Sequence, residues 1–266
     1  MNRAEKLVLL IVDDQEEVLE VYEDVLGEEL GHQVECAYLP REALRHVRDR
    51  LFDAVIVDAK IPYRGAGLGG LILADEIGAK LGLDSVILMS QYDVRAEVAQ
   101  LDSNLTFLSK PKGNTSFSEW VQKDLLAKIR RLLARQYGFV VMPFGDPASD
   151  AWYRESLVPW MADAGFAVKR MDEMATSHAM NTELQEKIRR AHFVVVYVSE
   201  QNPNVYFEAG FAVALSKFSV VCAPRIEDLP FDIRAHYALQ VGTGDPERER
   251  AALIDHLHGL RGSRRV

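Results

Sequence analysis

At 266 residues the chain exceeds the length of a typical single domain of roughly 100 to 150 residues, so two domains with separate cores are expected. A hydrophobic share of 48%, a charged share of 27% and a formal net charge of -9 describe an acidic globular chain and argue against nucleic acid as a general partner. Neither half is basic, with 17 Lys and Arg against 23 Asp and Glu through residue 136, and 14 against 17 thereafter.

Cys36 and Cys222 lie far apart, with no Cys-x-x-Cys pair and no His at ligand spacing. Disulfide and zinc readings therefore fail, and a reducing, cytoplasmic location is expected. No stretch reaches the ~20 apolar residues of a membrane span, and the apolar run in "MNRAEKLVLLIVDDQ" is too short for a signal peptide, so no membrane partner is expected.

Short apolar strands alternate with amphipathic helices through both halves, the pattern of parallel α/β sheets. In the first half the pattern predicts strands at Leu7–Val12, His32–Cys36, Ala54–Val57, Ser85–Leu88 and Leu105–Leu108. A final helix from about Phe117 to Arg135 carries Trp120, Leu125, Leu126, Ile129, Leu132 and Leu133 on one apolar face. The second half repeats the rhythm, with strands at Phe139–Met142, Phe166–Lys169, Phe193–Val198, Ser219–Cys222 and Tyr237–Val241. Its helices are expected over about Asp150–Asp163, Thr182–Arg190, Pro203–Ser216 and Glu247–Leu260, with a frayed tail "RGSRRV". The fold class is thus α/β, with two doubly wound parallel-sheet domains at 1-136 and 137-266, joined so closely that motion would pass through a helix end.

Functional groups in open α/β sheets gather at the carboxyl ends of strands. In the first half those positions hold Asp13 and Asp14, Asp58, Ser90 and Lys110. Clustered carboxylates repel one another unless a hard cation such as Mg2+ sits between them, and a lysine opposite adds a second positive group. Together they could neutralise a phosphoryl group on Asp58, with the Ser90 hydroxyl bonding one of its oxygens.

With its motifs "LIVDDQ", "DAVIVDAKIP", "VILMS" and "FLSKP" in order, the segment from about 5 to 135 resembles the flavodoxin-like receiver domain of two-component response regulators. The resemblance implies Asp58 as phosphoacceptor, Asp13, Asp14 and Asp58 as the Mg2+ site, Ser90 and Lys110 as readers of the phosphoryl group, and Phe107 as a switch aromatic. It also implies a cognate histidine kinase or small phosphodonor as partner. The loop "KIPYRGAGLGG" departs from the family by being longer and richer in glycine.

In the second half, "QNPNVYFEAGFAVAL" places Asn202 as an N-cap, Pro203 at the first helical position and Glu208 about one and a half turns in. Asn204 and Ala212 share its face. The helix follows a central strand, so Glu208 would border the strand-end crevice beside "MPFGD" and "RMDE", where helix N-termini would favour anionic ligands. Beside an N-terminus the carboxylate is expected to stay ionised, which suits a nucleophile.

These residues, with "FVVMPF", the segment from Ile188 and "LPFDIR", resemble a bacterial superfamily in which Toll/interleukin-1-receptor-like (TIR-like) nucleotide hydrolases and nucleoside 2-deoxyribosyltransferase-like proteins meet. Both branches cleave an N-glycosidic bond and place a glutamate on this helix, which implies Glu208 as the catalytic carboxylate. The resemblance further implies NAD+ or another nucleotide as substrate or ligand, with Phe144 or Tyr206 stacking a base, Asn204 on a ribose hydroxyl, and Asp172 and Ser199 lining the crevice. Tyr197 departs from the family, which often has Asp there. The expected protein is a phosphorylation-regulated NAD-hydrolase-like signalling enzyme, by analogy in stress response or phage defence, acting as a homodimer. Its alternatives are a deoxyribosyltransferase or nucleoside hydrolase, and a non-catalytic nucleotide-sensing module.

Overall fold

The computed structural model describes residues 6–101, 105–112, 116–174, 180–199, 202–234 and 238–262. The chain divides into two compact units, one that runs to Gln136 and also takes in Arg261, and one that spans Tyr137–Leu260. Among the described residues, no helix is long and apolar enough to cross a membrane.

The first unit is one parallel sheet built from β1 (Val8–Val12), β2 (Gln33–Ala37), β3 (Ala54–Asp58), β4 (Val86–Ser90) and β5 (Thr106–Ser109). Its order is β2-β1-β3-β4-β5. The residues of β1, β3 and β4 are buried at every position, as strands covered on both faces must be. Helices α1 (Glu16–Tyr22), α2 (Pro40–Asp49), α3 (Gly69–Leu81) and α4 (Arg95–Leu101) make the crossovers, and α5 covers residues 117–133. The predicted apolar face of α5 packs into the core, where Trp120, Leu125 and Ile129 meet Leu9, Ile11 and Tyr22.

The unit's continuous stretch ends at Gln136. This buried side chain donates its amide N–H groups to the carbonyls of Asp53 (2.7 Å) and Asp84 (2.9 Å) and to Ser85 Oγ (3.1 Å). An amide with several partners is a well-satisfied buried polar group, which fixes where the sheet ends.

The second unit holds β6 (Gly138–Val141), β7 (Val168–Arg170), β8 (Phe193–Tyr197), β9 (Ser219–Ala223) and β10 (Ala238–Gln240), in the order β10-β9-β8-β6-β7. Counted from its own first strand this is the same doubly wound arrangement as in the first unit, with the chain reversing direction across the sheet between its first and third strands. Here α6 covers residues 147–163, followed by α7 (Met180–Arg190), α8 (Pro203–Ala214), the short α9 (Phe231–Arg234) and α10 (Pro246–Gly262). Both units are therefore α/β doubly wound folds, and the first has the flavodoxin-like order of a receiver.

Three expectations change. Helix α6 begins at Pro147 rather than Asp150, because Asp146 caps it by accepting from Ser149 N–H at 3.0 Å and Pro147 is preset for the first turn. The segment "LPFDIR" contributes the helix α9, which was not expected. Arg261, assigned to a frayed tail, is helical and buried. Tyr237, expected to open the last strand, lies outside the described residues.

Candidate functional sites at the two switch points

Each sheet reverses its winding between two central strands, and the crevice at their carboxyl ends is where open α/β sheets bind ligands. In the first unit those strands are β1 and β3. Asp13 directly follows β1, Asp58 ends β3, Ser90 ends β4 and Lys110 follows β5. All four side chains are buried, whereas Asp14 is exposed.

Lys110 joins the two acids. Its Nζ lies 2.7 Å from Asp13 Oδ2 and 2.6 Å from Asp58 Oδ1. The outer carboxylate oxygens are held by the backbone, since Gln15 N–H donates to Asp13 Oδ1 (3.1 Å) and Lys60 N–H to Asp58 Oδ2 (2.7 Å). Burial opposes the charge on Lys110, but Asp13 and Asp58 outweigh it and raise the ammonium above its ordinary value. Burial lifts the Asp13 carboxyl above the usual carboxylate range, against the pull of Lys110. Ser90 Oγ accepts from Tyr92 N–H at 3.0 Å, which leaves its own proton free to donate. Phe107, half-buried, pairs in register with Leu88.

Of the three acids assigned to a cation, two therefore meet and Asp14 stands apart. Among the described residues no three His, Cys, Asp or Glu side chains are gathered as for a metal. Mg2+ keeps several of its waters and needs only one or two carboxylates, so Asp13 and Asp58 fit it by donor chemistry.

The glycine-rich loop has a steric reason. A Cβ on Gly70 would lie 1.9 Å from the Asp58 carbonyl oxygen, and one on Gly69 would lie 2.3 Å from Tyr63 N. These glycines let the start of α3 press against the backbone that carries the phosphoacceptor candidate.

In the second unit the reversal lies between β6 and β8. A cleft of about 310 Å³ opens there, walled by Met142 and Phe144 after β6, Met171 after β7, and Asn204, Phe207 and Glu208 of α8. Its volume is at the lower end of small-ligand pockets. Glu208 has no hydrogen bond or ion pair among the described residues, and burial pushes its carboxyl up to about 7. The expectation of a fully ionised carboxylate is thereby corrected: the loss of water around the side chain outweighs the helix N-terminus.

The expected pocket residues divide. Phe144 and Asn204 share the cleft with Glu208. Tyr206 and Ser199 instead line a separate hollow of about 150 Å³ with Arg225 and Asp228. Two residues along a helix is a rotation of about 200°, so Tyr206 and Glu208 face opposite ways. Asp172 lines neither space; it is exposed and accepts from Arg170 Nη2 at 2.7 Å. Tyr197, where an acid was looked for, is buried and stacks on Trp152 with centroids 4.2 Å apart and planes 14° apart.

Phe207 was missed. Its signal was available, because Asn204, Phe207 and Glu208 stand at i, i+3 and i+4 and so share one helical face.

No family model matches the chain. Among solved structures it is similar to a putative response regulator from Chloroflexus aurantiacus J-10-fl, at 27% identity over 49% of this chain and 99% of that one, with a TM-score of 0.39. It is also similar to a CheY-like response regulator receiver domain protein from Methanospirillum hungatei JF-1, at 22% identity over 47% and 94%, with a TM-score of 0.38. A response regulator from Thermotoga maritima, solved in complex with Mg2+-BeF, matches at 26% identity over 47% and 96%, with a TM-score of 0.35.

Proposed function

We propose that the first unit is a receiver phosphorylated on Asp58, and that this controls cleavage of an N-glycosidic bond in a nucleoside or nucleotide by the second unit at Glu208. The observation that carries the catalytic reading is the position of Glu208. It is a half-buried carboxyl with no charged partner among the described residues, in a strand-end cleft with an aromatic ring and an amide.

In the first unit Asp58 takes the phosphoryl group from a histidine kinase or small phosphodonor. Lys110 turns from its carboxylate pair toward the new charge, and the Ser90 hydroxyl donates to a phosphoryl oxygen. Mg2+, held by Asp13 and Asp58, would supply charge neutralisation there.

In the second unit a carboxyl that titrates near neutral pH can act in both directions. With a purine or pyrimidine as the leaving group, the protonated Glu208 gives its proton to the departing base, which leaves with the electron pair of the C1′–N bond. Water then adds its oxygen to C1′ and returns a proton to the Glu208 carboxylate, which restores the starting state. A non-catalytic sensor is the second reading. It is favoured by Tyr197, whose packing on Trp152 leaves Glu208 without the second acid of a paired-carboxylate site.

Release of free base is measured from NAD+ and from a nucleoside panel, with and without a small phosphodonor and Mg2+. Release that is lost in Glu208→Gln and altered in Asp58→Asn supports the proposal. Binding without release under any condition replaces the enzyme with a sensor, and release indifferent to Asp58→Asn removes the receiver from control.

A further inference from the structure

The Glu208 cleft sits where α/β folds commonly hold phosphate, yet its walls are built against an anion. Among the described residues none of its lining side chains is Lys, Arg or His, and the one titratable group they include is an acid. Arg170, which reaches the sulfur of the lining Met142 at 3.9 Å, is ion-paired to both Asp150 and Asp172. Its charge is more than balanced.

Most of the backbone amides that would serve a phosphate are also engaged, Val205 N–H being the exception among the described residues in the first turn of α8. Phosphate sites at helix N-termini depend on free N–H groups in the first turn. On α8, Pro203 has no N–H, Asn204 N–H donates to Asn202 Oδ1 (3.0 Å), and Tyr206 N–H returns to Asn202 O (3.2 Å). On α6, which starts three residues beyond Phe144, Pro147 has no N–H. Ser149 N–H donates to Asp146 Oδ2 (3.0 Å), and Asp150 N–H to Asp146 O (3.0 Å). The same cap that closes α6 puts a carboxylate at its N-terminus.

What the cleft does offer is aromatic surface. Phe144 is 54% exposed and Phe207 is 61% exposed, both line the cleft, and neither is in a ring pair among the described residues. Exposed rings beside a polar amide and a carboxyl suit a planar base attached to a hydroxyl-bearing sugar.

We infer that the cleft takes a phosphate-free nucleoside rather than a nucleotide. Phe144 and Phe207 grip the base, and the self-capped N-termini of α6 and α8 exclude the 5′-phosphate. This rests on the glycosidic-bond reading of the cleft and narrows it: Phe207 becomes a specificity-determining residue, and the preferred ligand is the dephosphorylated member of each nucleoside and nucleotide pair.

The test is calorimetric titration of the full-length Glu208→Gln protein with adenosine and AMP, inosine and IMP, and nicotinamide riboside and its monophosphate. The neutral Gln removes the repulsion of Glu208 itself, so any remaining discrimination belongs to the walls. At least one nucleoside should bind roughly ten-fold or more tightly than its monophosphate, and adding Phe207→Ala should weaken it by roughly ten-fold, the usual scale for losing a stacked base. The exposed position of Phe207 predicts an unchanged melting temperature, which separates lost binding from lost folding. Monophosphates that bind as tightly as their nucleosides, or a panel in which no nucleoside binds, would overturn the inference. Selective nucleoside binding without base release by the wild type would remove the catalytic reading and leave this one standing. Base release with equal affinity for both members would do the reverse.

Discussion

The ammonium of Lys110 stands 2.6 Å from the Asp58 carboxylate, and with both side chains buried neither has bulk water to replace the other. Removing one member of a buried charge set strands the rest, which typically costs about 3–5 kcal/mol. Lys110→Met should lose stability on that scale at pH 7, read as a lower urea midpoint at unchanged slope. Lys110 titrates above its ordinary 10.5 in the folded state, so its contribution is fully present below that value and fades as pH rises through the folded value. The deficit of the variant should shrink above pH 10.5, and a deficit constant through alkaline pH would assign the loss to packing instead.

Gly70 and Gly78 make a controlled pair on α3. A Cβ at Gly70 meets backbone, 1.9 Å from the Asp58 carbonyl oxygen and 2.8 Å from Ala59 Cα. At Gly78 it meets the movable end of the Leu83 side chain at 2.5 Å. Gly70→Ala should therefore cost about 1–3 kcal/mol by overpacking and slow phosphorylation of Asp58 by small phosphodonors. Gly78→Ala should stay within about 1 kcal/mol of wild type, because the gain in helix propensity offsets a side-chain adjustment. Equal losses in the two variants would mean that the close approach at Gly70 does not position Asp58.

These residues also mark what could be read from the chain alone. Buried parallel strands appear as uninterrupted apolar runs, so the ends of β1, β3 and β4, and with them Asp13, Asp58 and Ser90, were legible by position. Which of two adjacent acids turns inward was not, and Asp14 points to solvent. On α8 the helix was legible but its facing was only half used. A spacing of four links Asn204 to Glu208 and a spacing of three brings Phe207 onto the same face, whereas Tyr206 lines the other hollow. The side-chain caps at the helix N-termini were not carried by propensities: Asn202 accepts from Asn204 N–H and Asp146 from Ser149 N–H, amides that an anion at those N-termini would also seek.

Tyr197 fills the position where a second acid was expected; the residue is 6% exposed and its ring stacks on Trp152. Tyr197→Asp would remove the stack and leave a carboxylate among apolar neighbours, a loss of about 3–5 kcal/mol. Tyr197→Phe keeps the ring and should cost about 1 kcal/mol or less. Thermal unfolding of the two variants distinguishes them. A stable Tyr197→Asp protein would mean that the site can accommodate the acid and that the aromatic is there for another reason than packing.

Glu208 gives the clearest pH signature. Burial raises its carboxyl from 4.5 to about 7, so the folded state holds the proton more tightly than the unfolded chain does. The sign follows from linkage: below 4.5 the group is protonated in both states and contributes nothing to the pH dependence. As pH climbs from 4.5 to 7, the unfolded state gains the advantage of ionising in water. Glu208→Gln cannot ionise, so its stability relative to wild type should be near zero at pH 4.5 and should rise to a plateau above pH 7.5. Because the side chain is only partly buried, solvent screening trims the plateau to about 1–2 kcal/mol from the larger figure that the full shift would convert to. Chemical denaturation of both proteins at pH 4.5, 6, 7 and 8.5 measures it. A flat difference across that range would place the Glu208 carboxyl in water and remove the acid and base duty assigned to it.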